Sequence, residues 1–448
     1  MHEAYKIAFT LRSHGFSVWI VGGAVRDFLL GEPSNDIDLA TNATPDKIIT
    51  IFSNERIDHV GKSFGVVIVN GVEVATYRKD YYPNEIWGHK NCQVKYAKRI
   101  KEDLSRRDLT INAMAMDPLT DEIYDPFNGR KDLKNKVIRF VGSTRDRIME
   151  DPNRILRACR FCAKIGGEFS SITLSDLKFY KHYLVKVAKE RIATEIMKAM
   201  KIRKASPFFI NLREINCLEH VFPSLESSWE FDGGDHHREN VGEHNMMCGD
   251  AILEKFPLLK LAGYLHDCSK DKAHHINEGK NYVGHDQISA EDAFSELMEN
   301  KFPKKDSEYI FNIIRYHMSD PFGIKNVKRF INKVGFEGYD FRDSIRLKIA
   351  DRKANLKRKP YIYSEIRKVV ELFTESIKNK EVFGLKDLEI NGNDVLNALK
   401  FNLPNEEADK IKPGPIVGKF LKEVLDLVLD EKLPNTFEVE FDYIVNNR

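Results

Sequence analysis

The chain has 448 residues, of which 42% are apolar and 31% are charged. This length exceeds one ordinary hydrophobic core, so we expect two to four globular domains and not a disordered chain. A formal net charge of +2 is too small to indicate a nucleic-acid-binding protein by itself. The apolar runs fall short of the roughly 20 residues that a membrane span requires, and the first residues lack the apolar core of a signal peptide.

The six cysteines are spread along the chain without the CxxC spacing of zinc sites. This pattern is typical of unpaired thiols in a reducing compartment, and it favours neither a disulfide framework nor a zinc ribbon. We therefore expect a cytoplasmic protein with no membrane partner.

Four regions of the chain differ in their residue patterns. Residues 1–140 mix short β-type runs with helical stretches, which is an α/β pattern. Residues 141–204 are helical, residues 205–360 are helical and rich in histidine, and residues 361–448 continue as helices to the end. The β-type runs of the first region are Ser17–Val21, Gly65–Val69, Val72–Tyr77 and Val137–Val141.

The first candidate site lies in the segment WIVGGAVRDFLLGEPSNDIDLAT. Residues two apart on a strand share a face, so Asp36 and Asp38 can direct both carboxylates at one ion. Two hard oxygen ligands suit Mg²⁺, and with substrate phosphates this is the arrangement that nucleotidyl transfer requires. Gly22 and Gly23 allow backbone amides to approach a triphosphate, which Arg26 can clamp. A solvated Asp pair in a turn is the alternative, which the GG-x-x-RD prefix disfavours.

Two later segments contain further candidates for this site. VEVATYR places Glu73 in an alternating strand, where it can supply a third carboxylate; an ordinary exposed strand position is the alternative. DLSRRDLTINAMAMDP carries Arg107, Asp108 and Asn112 as candidate phosphate, ribose or nucleotide contacts, with Asn112 a turn away on one helical face. A basic capping cluster at a helix start is the alternative interpretation.

A third motif, EDPNRILRACRF, combines one aspartate with arginines. Asp151, Arg154, Arg157 and Arg160 lie three residues apart, which on a helix makes one slowly drifting polar stripe; a solvated face is the ordinary interpretation. Cytosine and adenine each present an amino donor beside a ring-nitrogen acceptor, so a carboxylate next to a guanidinium would hydrogen-bond either base. Uracil and guanine present a carbonyl there, and an unpaired buried acceptor costs about 1–3 kcal/mol. One Asp/Arg pair would therefore select C and A without a template.

These segments resemble those of class II tRNA nucleotidyltransferases, the CCA-adding enzymes, whose superfamily includes bacterial poly(A) polymerases. GGAVRD with DID is similar to the family's motif A, RRDLTINAMAMDP to motif B, EDPNR to the template-reading motif D, and ERIATE to the helical motif that buttresses it. The resemblance implies an α+β protein with an N-terminal α/β nucleotidyltransferase head, an all-helical neck, a helical body and a helical tail.

The resemblance also implies roles for individual residues and implies tRNA, CTP and ATP as partners. It gives Asp36 and Asp38 as Mg²⁺ ligands, Gly23, Arg26 and Arg107 as triphosphate or ribose contacts, Asp151, Arg154, Arg157 and Arg160 as nucleotide-binding residues, and Glu190, Arg191 and Glu195 as structural residues. The family's flexible loop contains an Arg-His-Pro-like segment that is missing from YRKDYYPNEIWGHKNCQVKYAKRI. Addition of CCA, of CC or of the final A alone therefore all stay open.

A second candidate site lies in the third region, which contains most of the chain's histidines. Imidazole and carboxylate are common ligands of catalytic divalent metals, although a satisfied core histidine is the alternative for each residue taken singly. The segments VGEHNMM, YLHDCSK and IADRKAN resemble the pattern of the HD phosphohydrolase superfamily. The resemblance implies His244, His266, Asp267 and Asp351 as ligands of a divalent ion (Ni²⁺, Co²⁺ or Mn²⁺), with Lys270, His285 and His317 on the substrate side.

We therefore predict an enzyme that adds C and/or A to the tRNA 3′ end without a template and that also hydrolyses phosphoesters, as a 2′,3′-cyclic phosphodiesterase or phosphatase. A poly(A) polymerase is the first alternative, although those enzymes usually end in a long basic tail and this chain ends in FEVEFDYIVNNR. The second is an HD phosphohydrolase whose degenerate transferase domain binds RNA. The third is a non-catalytic RNA-binding scaffold that uses the basic stretch RKANLKRK at residues 352–359.

Overall fold

The computed structural model describes residues 2–34, 37–58, 61, 65–82, 92–234, 237–319, 340, 342–379, 382–408 and 410–448. The chain divides into two compact units: residues 1–226 with 296–302, and residues 227–295 with 303–448. Strands occur in the first unit, and the second is helical throughout its described part. The predicted α+β fold class, with an N-terminal head followed by helical regions, is confirmed. The division into four regions at residues 140, 204 and 360 stays a prediction.

The predicted β-type runs all form strands, and each strand is shorter than its run. Ser17–Val21 yields the strand Val18–Val21, and Val137–Val141 yields only Val137–Ile138. The strands are β1 (Val18–Val21), β2 (Asp38–Thr41), β3 (Ile57–Asp58), β4 (Val66–Val69), β5 (Val72–Thr76), β6 (Arg78–Tyr81), β7 (Gln93–Tyr96), β8 (Ala115–Met116), β9 (Ile123–Tyr124), β10 (Val137–Ile138) and β11 (Glu168–Phe169).

Among the described residues, seven strands form one sheet in the order β3-β4-β5-β2-β1-β8-β9. Strand β2 runs parallel to β5 and antiparallel to β1. The sheet is covered by a core that includes Val21, Ala40, Tyr77 and Leu104, as expected for strands rich in β-branched and aromatic residues. Asp38, the first residue of β2, pairs with Val21, the last residue of β1. Asp38 therefore lies at the end of the sheet where the glycine turn follows β1.

The helices of the first unit begin with α1 (His2–Ser13), α2 (Gly23–Leu30), α3 (Pro45–Ile51), α4 (Ile100–Ser105) and α5 (Gly129–Lys134). They continue with α6 (Thr144–Glu150), α7 (Arg154–Ile165), α8 (Ser171–Tyr180), α9 (Lys189–Met200), α10 (Ser206–Glu214) and α11 (Pro223–Ser227). Helix α7 packs against α9 and α10. The stretch predicted as helical contains one short strand, β11, because α7 ends at Gly166 in the left-handed conformation and Gly167 approaches the Lys136 carbonyl too closely for any side chain.

The helices of the remaining chain are α12 (Val241–Ala251), α13 (Pro257–Leu265), α14 (Lys270–Ile276), α15 (His285–Glu299), α16 (Lys304–Arg315) and α17 (Arg342–Ala354). Helix α12 begins with a capping box between Asn240 and Glu243 and packs against α13 and α17. Helix α13 also packs against α16. These contacts bring helix ends from distant parts of the sequence together.

The C-terminal part contains α18 (Tyr363–Lys378), α19 (Gly392–Lys400), α20 (Asn405–Ala408), α21 (Pro415–Leu429) and α22 (Phe437–Asn447). Its core includes Val395, Leu399, Phe420, Val424 and Ile444. Within the described residues, every helix is too short or too polar to cross a lipid bilayer.

Candidate active sites

An open cavity of about 620 Å³ in the first unit gathers the predicted nucleotide-binding residues. Those that line it are Gly23, Arg26, Arg107, Asp108, Asn112, Asp151, Arg154, Arg157 and Arg160, together with Asp38. The sequence did not single out Asn153, Phe161, Lys164, Thr194 and Lys198, which also line it. Asp36 lies outside the described residues. In the described lining, nine basic residues face four acidic ones, so the cavity suits a polyanion.

Asp38 lies beside the glycine turn that follows β1. Gly22 has a φ of 75°, in the left-handed region that favours glycine. A Cβ atom at Gly22 would lie 3.0 Å from Nη1 of Arg107 and 3.9 Å from Oδ2 of Asp38. The turn therefore brings backbone, a carboxylate and a guanidinium together, as a triphosphate site with a bound cation requires.

Glu73 does not line this cavity and is exposed on β5. The parallel register pairs Leu39 with Val74, so the residues that precede them, Asp38 and Glu73, are neighbours across the two strands. Because side chains alternate along a strand, these two carboxylates belong to the same face of the sheet. The placement fits a shared cation, and the catalytic role of Glu73 stays a prediction.

Arg26 lines the cavity but is only 4% exposed. Its guanidinium donates hydrogen bonds to Oδ1 of Asp27 at 2.8 and 2.9 Å and to Oδ1 of Asn112 at 2.6 Å. It also lies 4.8 Å from the centre of the Phe161 ring. Arg26 therefore joins three walls of the cavity, and the triphosphate contact that the resemblance implies stays a prediction.

Asp108 is a buried carboxylate that holds two parts of the cavity together. Oδ2 accepts hydrogen bonds from Nε and Nη2 of Arg157 at 2.7 Å each, and Oδ1 accepts one from Nδ2 of Asn112 at 3.2 Å. Burial raises the pKa of Asp108, but Arg157 and Arg154 outweigh burial and hold it well below its usual range. Asp108 is thus an ionised anchor for Arg157.

The prediction that Arg107 and Asn112 share a helical face is wrong. Helix α4 ends at Ser105, and Asn112 lies in a separate 3-10 turn, Thr110–Asn112. The basic pair Arg106 and Arg107 therefore follows a helix and does not begin one.

Asp151 does not belong to the helical stripe that its spacing predicted. Its backbone is extended, with φ −154° and ψ 99°, and α7 begins only at Arg154. The reason is Pro152, because a residue that precedes proline is disfavoured in the helical conformation. Arg191 of α9 donates hydrogen bonds to both carboxylate oxygens of Asp151, at 2.8 and 2.7 Å.

The other three members of the stripe do share α7, and each binds a different carboxylate. Arg154 donates to Glu150 at 2.6 Å, and Arg160 donates to Glu195 at 2.6 Å. Arg157 binds Asp108, and this carboxylate raises the pKa of the Arg157 guanidinium. The acids hold the guanidinium groups at fixed positions in the cavity wall, which favours binding of an anionic ligand.

The second unit brings the predicted histidines and aspartates into one cluster. His244 lies on α12, His266 and Asp267 follow α13, and Asp351 lies on α17. His285 begins α15, and His317 lies two residues after α16. All of these except Asp351 are buried. This unit therefore holds imidazole and carboxylate groups from five helices at one place.

Three of the histidines use Nδ1 for a backbone contact. His266, His285 and His317 each place Nδ1 within hydrogen-bond distance of a carbonyl oxygen, and a carbonyl can only accept. The acceptors are Gly263 at 3.0 Å, Tyr282 at 2.8 Å and Ile314 at 2.7 Å. A neutral ring with a proton on Nδ1 presents an unprotonated Nε2, the form that ligates metals.

These Nε2 atoms surround one oxygen of Asp267. Oδ1 lies 3.4 Å from Nε2 of His285, 3.5 Å from that of His317 and 4.0 Å from that of His266. It is buried and makes no hydrogen bond among the described residues, whereas Oδ2 accepts one from Lys270 at 3.1 Å. Buried carboxylate oxygens are normally satisfied, so lone pairs that face one another in this way fit a cation between them.

His244 completes the cluster through two carboxylates. Its Nε2 lies 3.0 Å from Oδ1 of Asp351 and 3.2 Å from Nε2 of His266, and its Nδ1 lies 3.1 Å from Oε1 of Glu239. Burial lowers the pKa of His244, but Asp351 and Glu239 raise it to about 9. The two carboxylates therefore stabilise positive charge at this position, which either a proton or a bound cation can supply.

Two sets of metal-ligating groups share Asp267. His244 and His266 form one set with it, and His285 and His317 form the other, with the ligand atoms of each set within 4.8 Å of one another. His285 and His317, predicted on the substrate side, therefore lie at ligand positions as well. Glu239 and His237, which the sequence motifs do not indicate, form a third set with His244. The segment HHRENVGEH contains both, but its spacing alone shows no shared target.

The fold and these sites define a nucleotidyltransferase-type chain with an HD-type metal domain. Family models match the Poly A polymerase head domain at residues 18–139, the "Probable RNA and SrmB-binding site of polymerase A" at residues 169–228, and the HD domain at residues 235–356. Both catalytic domain types imply the use of divalent metal ions.

The chain is 30% identical to the CCA-adding enzyme of Oceanobacillus iheyensis over 455 aligned positions, which cover 100% of this chain and 97% of that protein. The chain therefore belongs to the family of CCA-adding enzymes. The CCA-adding enzyme of Bacillus pumilus is 42% identical, over 45% of this chain and about half (50%) of that protein. The CC-adding tRNA nucleotidyltransferase of Shouchella clausii is 33% identical, over 50% of this chain and 54% of that protein.

The crystal structure of the Bacillus stearothermophilus CCA-adding enzyme in complex with CTP has the same fold. It superposes with a TM-score of 0.68 at 23% identity and covers 100% of this chain and 97% of that one.

Proposed function

We propose that this chain adds C and A to the 3′ end of tRNA from CTP and ATP and selects them with protein side chains. The observation that carries the proposal is the joint cavity. It places Asp38 and Arg107 of the head in one space with Asp151 and Arg154 of the EDPNR segment. The residues of the head would thus hold the triphosphate, and the residues of the EDPNR segment would hold the base. The basic lining supplies the charge that a nucleoside triphosphate requires.

Asp36 and Asp38, with Glu73 as a third carboxylate, would hold Mg²⁺, which neutralises charge at the attacking hydroxyl and the departing pyrophosphate. Arg107 then binds triphosphate oxygens beside the Gly22 turn. Asp151, oriented by Arg191, accepts from the amino group of the base. Arg154 donates to the ring nitrogen after it exchanges its 3.2 Å contact with the carbonyl of Arg106.

The experiment is incubation of the full chain with three tRNAs, which end in the discriminator base, in C or in CC, each with CTP, ATP or both. We expect C on the first two and A on the third. Addition of C alone or of A alone would assign a partial enzyme and overturn the complete CCA product. No addition to any of the three would overturn the transferase itself.

A second activity is favoured by the unsatisfied Oδ1 of Asp267 and the Nε2 atoms that surround it. We propose hydrolysis of 2′,3′-cyclic phosphates or terminal phosphates, with Ni²⁺, Co²⁺ or Mn²⁺ held by His244, His266, Asp267 and Asp351, because imidazole-rich ligation favours these ions over Mg²⁺. Hydrolysis consumes one water: its oxygen bonds to phosphorus, one ribose oxygen–phosphorus bond breaks, and the released oxygen takes a proton. Lys270 neutralises the phosphate beside Asp267.

We also propose a reducing compartment, the cytoplasm. All six cysteines are unpaired, and all but Cys92 are buried. Burial raises the pKa of the Cys159, Cys162 and Cys217 thiols, so these groups stay protonated and unreactive.

A further inference from the structure

A cavity of about 470 Å³ in the second unit opens beside the HD-type cluster. Asp267, His285, His317 and Asp351 form part of its wall. Beyond them it is lined by basic residues that the proposed hydrolysis does not use: Lys348, Arg352 and Arg358. These belong to or follow α17, the helix that carries Asp351.

The helical spacing directs these groups to one place. Lys348, Asp351, Arg352 and Asn355 recur at intervals of three and four residues, so they share one face of α17, and all four line the cavity. The carboxylate at the metal cluster is therefore flanked by a lysine one turn before it and an arginine directly after it.

The Arg352 side chain is held in position by two contacts. Its Nε donates to the carbonyl of Lys359 at 2.8 Å, and its guanidinium lies 5.0 Å from the centre of the Tyr361 ring. Neither contact takes a hydrogen bond from Nη1 or Nη2, so within the described residues these donors can bind an oxyanion in the paired geometry that arginine prefers.

The proposed hydrolysis uses Lys270, Asp267 and Asp351, and it does not account for the other basic residues of the lining. Lys270 already serves the phosphate position next to Asp267, and the acid of the outer wall, Asp286, is paired with Arg315. Arg352 and Arg358, which also line the cavity, can therefore bind a second anion. Tyr282 and Tyr361 also line the cavity.

We propose that Arg352 and Arg358 form a second phosphate subsite, which binds the internucleotide phosphate of an RNA 3′ end whose terminal phosphate lies at the HD-type cluster. This inference rests on the proposed hydrolase. An RNA end is chosen over a free nucleotide because the transferase site of the same chain acts on RNA 3′ ends. The preferred substrate is then an oligonucleotide and not a mononucleotide.

The test compares an oligoribonucleotide that ends in a 2′,3′-cyclic phosphate with a nucleoside 2′,3′-cyclic phosphate that lacks a 5′ phosphate. The full chain is assayed with Mn²⁺, Co²⁺ and Ni²⁺. We expect kcat/KM at least about tenfold higher for the oligonucleotide, mostly through KM, since one charge-assisted contact carries that much discrimination. Arg352→Gln and Arg358→Gln should each lower kcat/KM for the oligonucleotide by about that factor. Each should change kcat/KM for the nucleoside substrate by less than about twofold.

Arg352→Lys should restore part of the loss because it keeps the charge. The matched control is Lys353→Gln, which removes the same charge from the next residue of α17, an exposed residue that does not line the cavity. It should leave both substrates unchanged. Equal losses on both substrates, no loss on either, or a preference for a nucleoside triphosphate would each overturn the subsite.

A binding measurement separates this subsite from the hydrolase. A dinucleotide with a 3′ phosphate is titrated into the wild type and into Arg352→Gln by calorimetry with Mn²⁺. If the wild type hydrolyses neither substrate but Arg352→Gln still binds the dinucleotide more weakly than the wild type, the hydrolase is rejected and the subsite is kept. Equal binding by both proteins would reject the subsite, whatever the hydrolysis assay gives.

Discussion

The guanidinium of Arg191 donates hydrogen bonds to both carboxylate oxygens of Asp151, at 2.8 and 2.7 Å. Asp151 precedes α7 and Arg191 lies on α9, so the pair joins two elements of the cavity. A paired contact of this kind fixes the plane of the carboxylate. An ionised carboxylate only accepts, and it keeps lone pairs beyond the two that Arg191 uses. Arg191 is therefore a positioning residue for the proposed selection of bases that carry an amino group.

Asp151→Asn should relax base selection. The amide presents a donor as well as an acceptor, so it can satisfy the carbonyl of uracil or guanine. Removing a penalty of about 1–3 kcal/mol should raise UTP and GTP incorporation relative to CTP and ATP by roughly 5- to 150-fold. Single-turnover addition with each nucleotide measures this ratio. Asp176→Asn on α8, outside the cavity, is the control; a slower Asp151→Asn enzyme with unchanged selectivity would make Asp151 structural.

The sequence predicted which residues line the first cavity better than it predicted their local geometry. The spacing of Arg154, Arg157 and Arg160 placed them on one helix, because the helical period is a local property. Asp151 was misplaced because Pro152 overrides that period. The pairing of Asp151 with Arg191 was not predictable from spacing, since it joins residues that are 40 positions apart.

The second site shows the same limit. Its candidate ligands were named from the HD-like pattern, but the carbonyl contacts of the Nδ1 atoms depend on the local helix ends. Glu239 contacts His244 at the place where α12 packs against α17, and this packing cannot be predicted from a local sequence pattern. Residues 352–359 were predicted only as a generic basic stretch, whereas the structure turns Arg352 and Arg358 toward one cavity.

Asp38→Ala should abolish nucleotide addition and leave tRNA binding largely intact. The carboxylate positions the cation for the reaction and adds little to RNA affinity, so we expect a loss of at least about 100- to 1,000-fold in rate with an unchanged Kd. Rapid-quench addition and a filter-binding assay measure the two quantities. Asp58→Ala, exposed on β3 of the same sheet, is the control. Addition at the normal rate by Asp38→Ala would remove the DID assignment.

Glu440 should make the C-terminal helices less stable at neutral and basic pH than at acidic pH. Its side chain is buried among the tail helices, Oε2 accepts from the Ile390 amide at 3.1 Å, and Oε1 has no partner in the described part of the chain. Burial raises the pKa of Glu440 from 4.5 to about 7. The folded state therefore keeps a proton that the unfolded chain releases, and the stabilisation present below pH 4.5 is lost as pH rises to about 7.

Glu440→Gln should remove this dependence, since the amide cannot ionise and still accepts from Ile390. Thermal unfolding is followed between pH 5 and pH 8, and we expect the variant to exceed the wild type by about 2–4 °C at the basic end and to match it at the acidic end. Glu438→Gln on the same helix, which is exposed, should follow the wild type. Parallel pH profiles for Glu440→Gln and the wild type would contradict the assignment.

The two metal sites should fail independently. His266→Ala combined with Asp267→Ala removes one imidazole and the carboxylate shared by both ligand sets, so the second unit should lose its metal. We expect phosphohydrolase activity to disappear while CTP and ATP addition stays within several-fold of the wild type. Metal content of the purified protein, measured by elemental analysis, reports the loss separately from activity.

A variant of the transferase site, Asp38→Ala, also tests whether the two sites are independent. Asp38→Ala should keep its hydrolase, because His244, His266, Asp267 and Asp351 all lie in the second unit. The assay follows opening of a 2′,3′-cyclic phosphate to the monoester with Mg²⁺, Mn²⁺, Co²⁺ and Ni²⁺. The rate with the softer ions should exceed the rate with Mg²⁺ because nitrogen ligands favour them. If the wild type hydrolyses nothing with any of the four ions, the histidine cluster is a structural site and the hydrolase is rejected. The transferase would be unaffected by that outcome, since Asp38 and the cavity around it belong to the first unit.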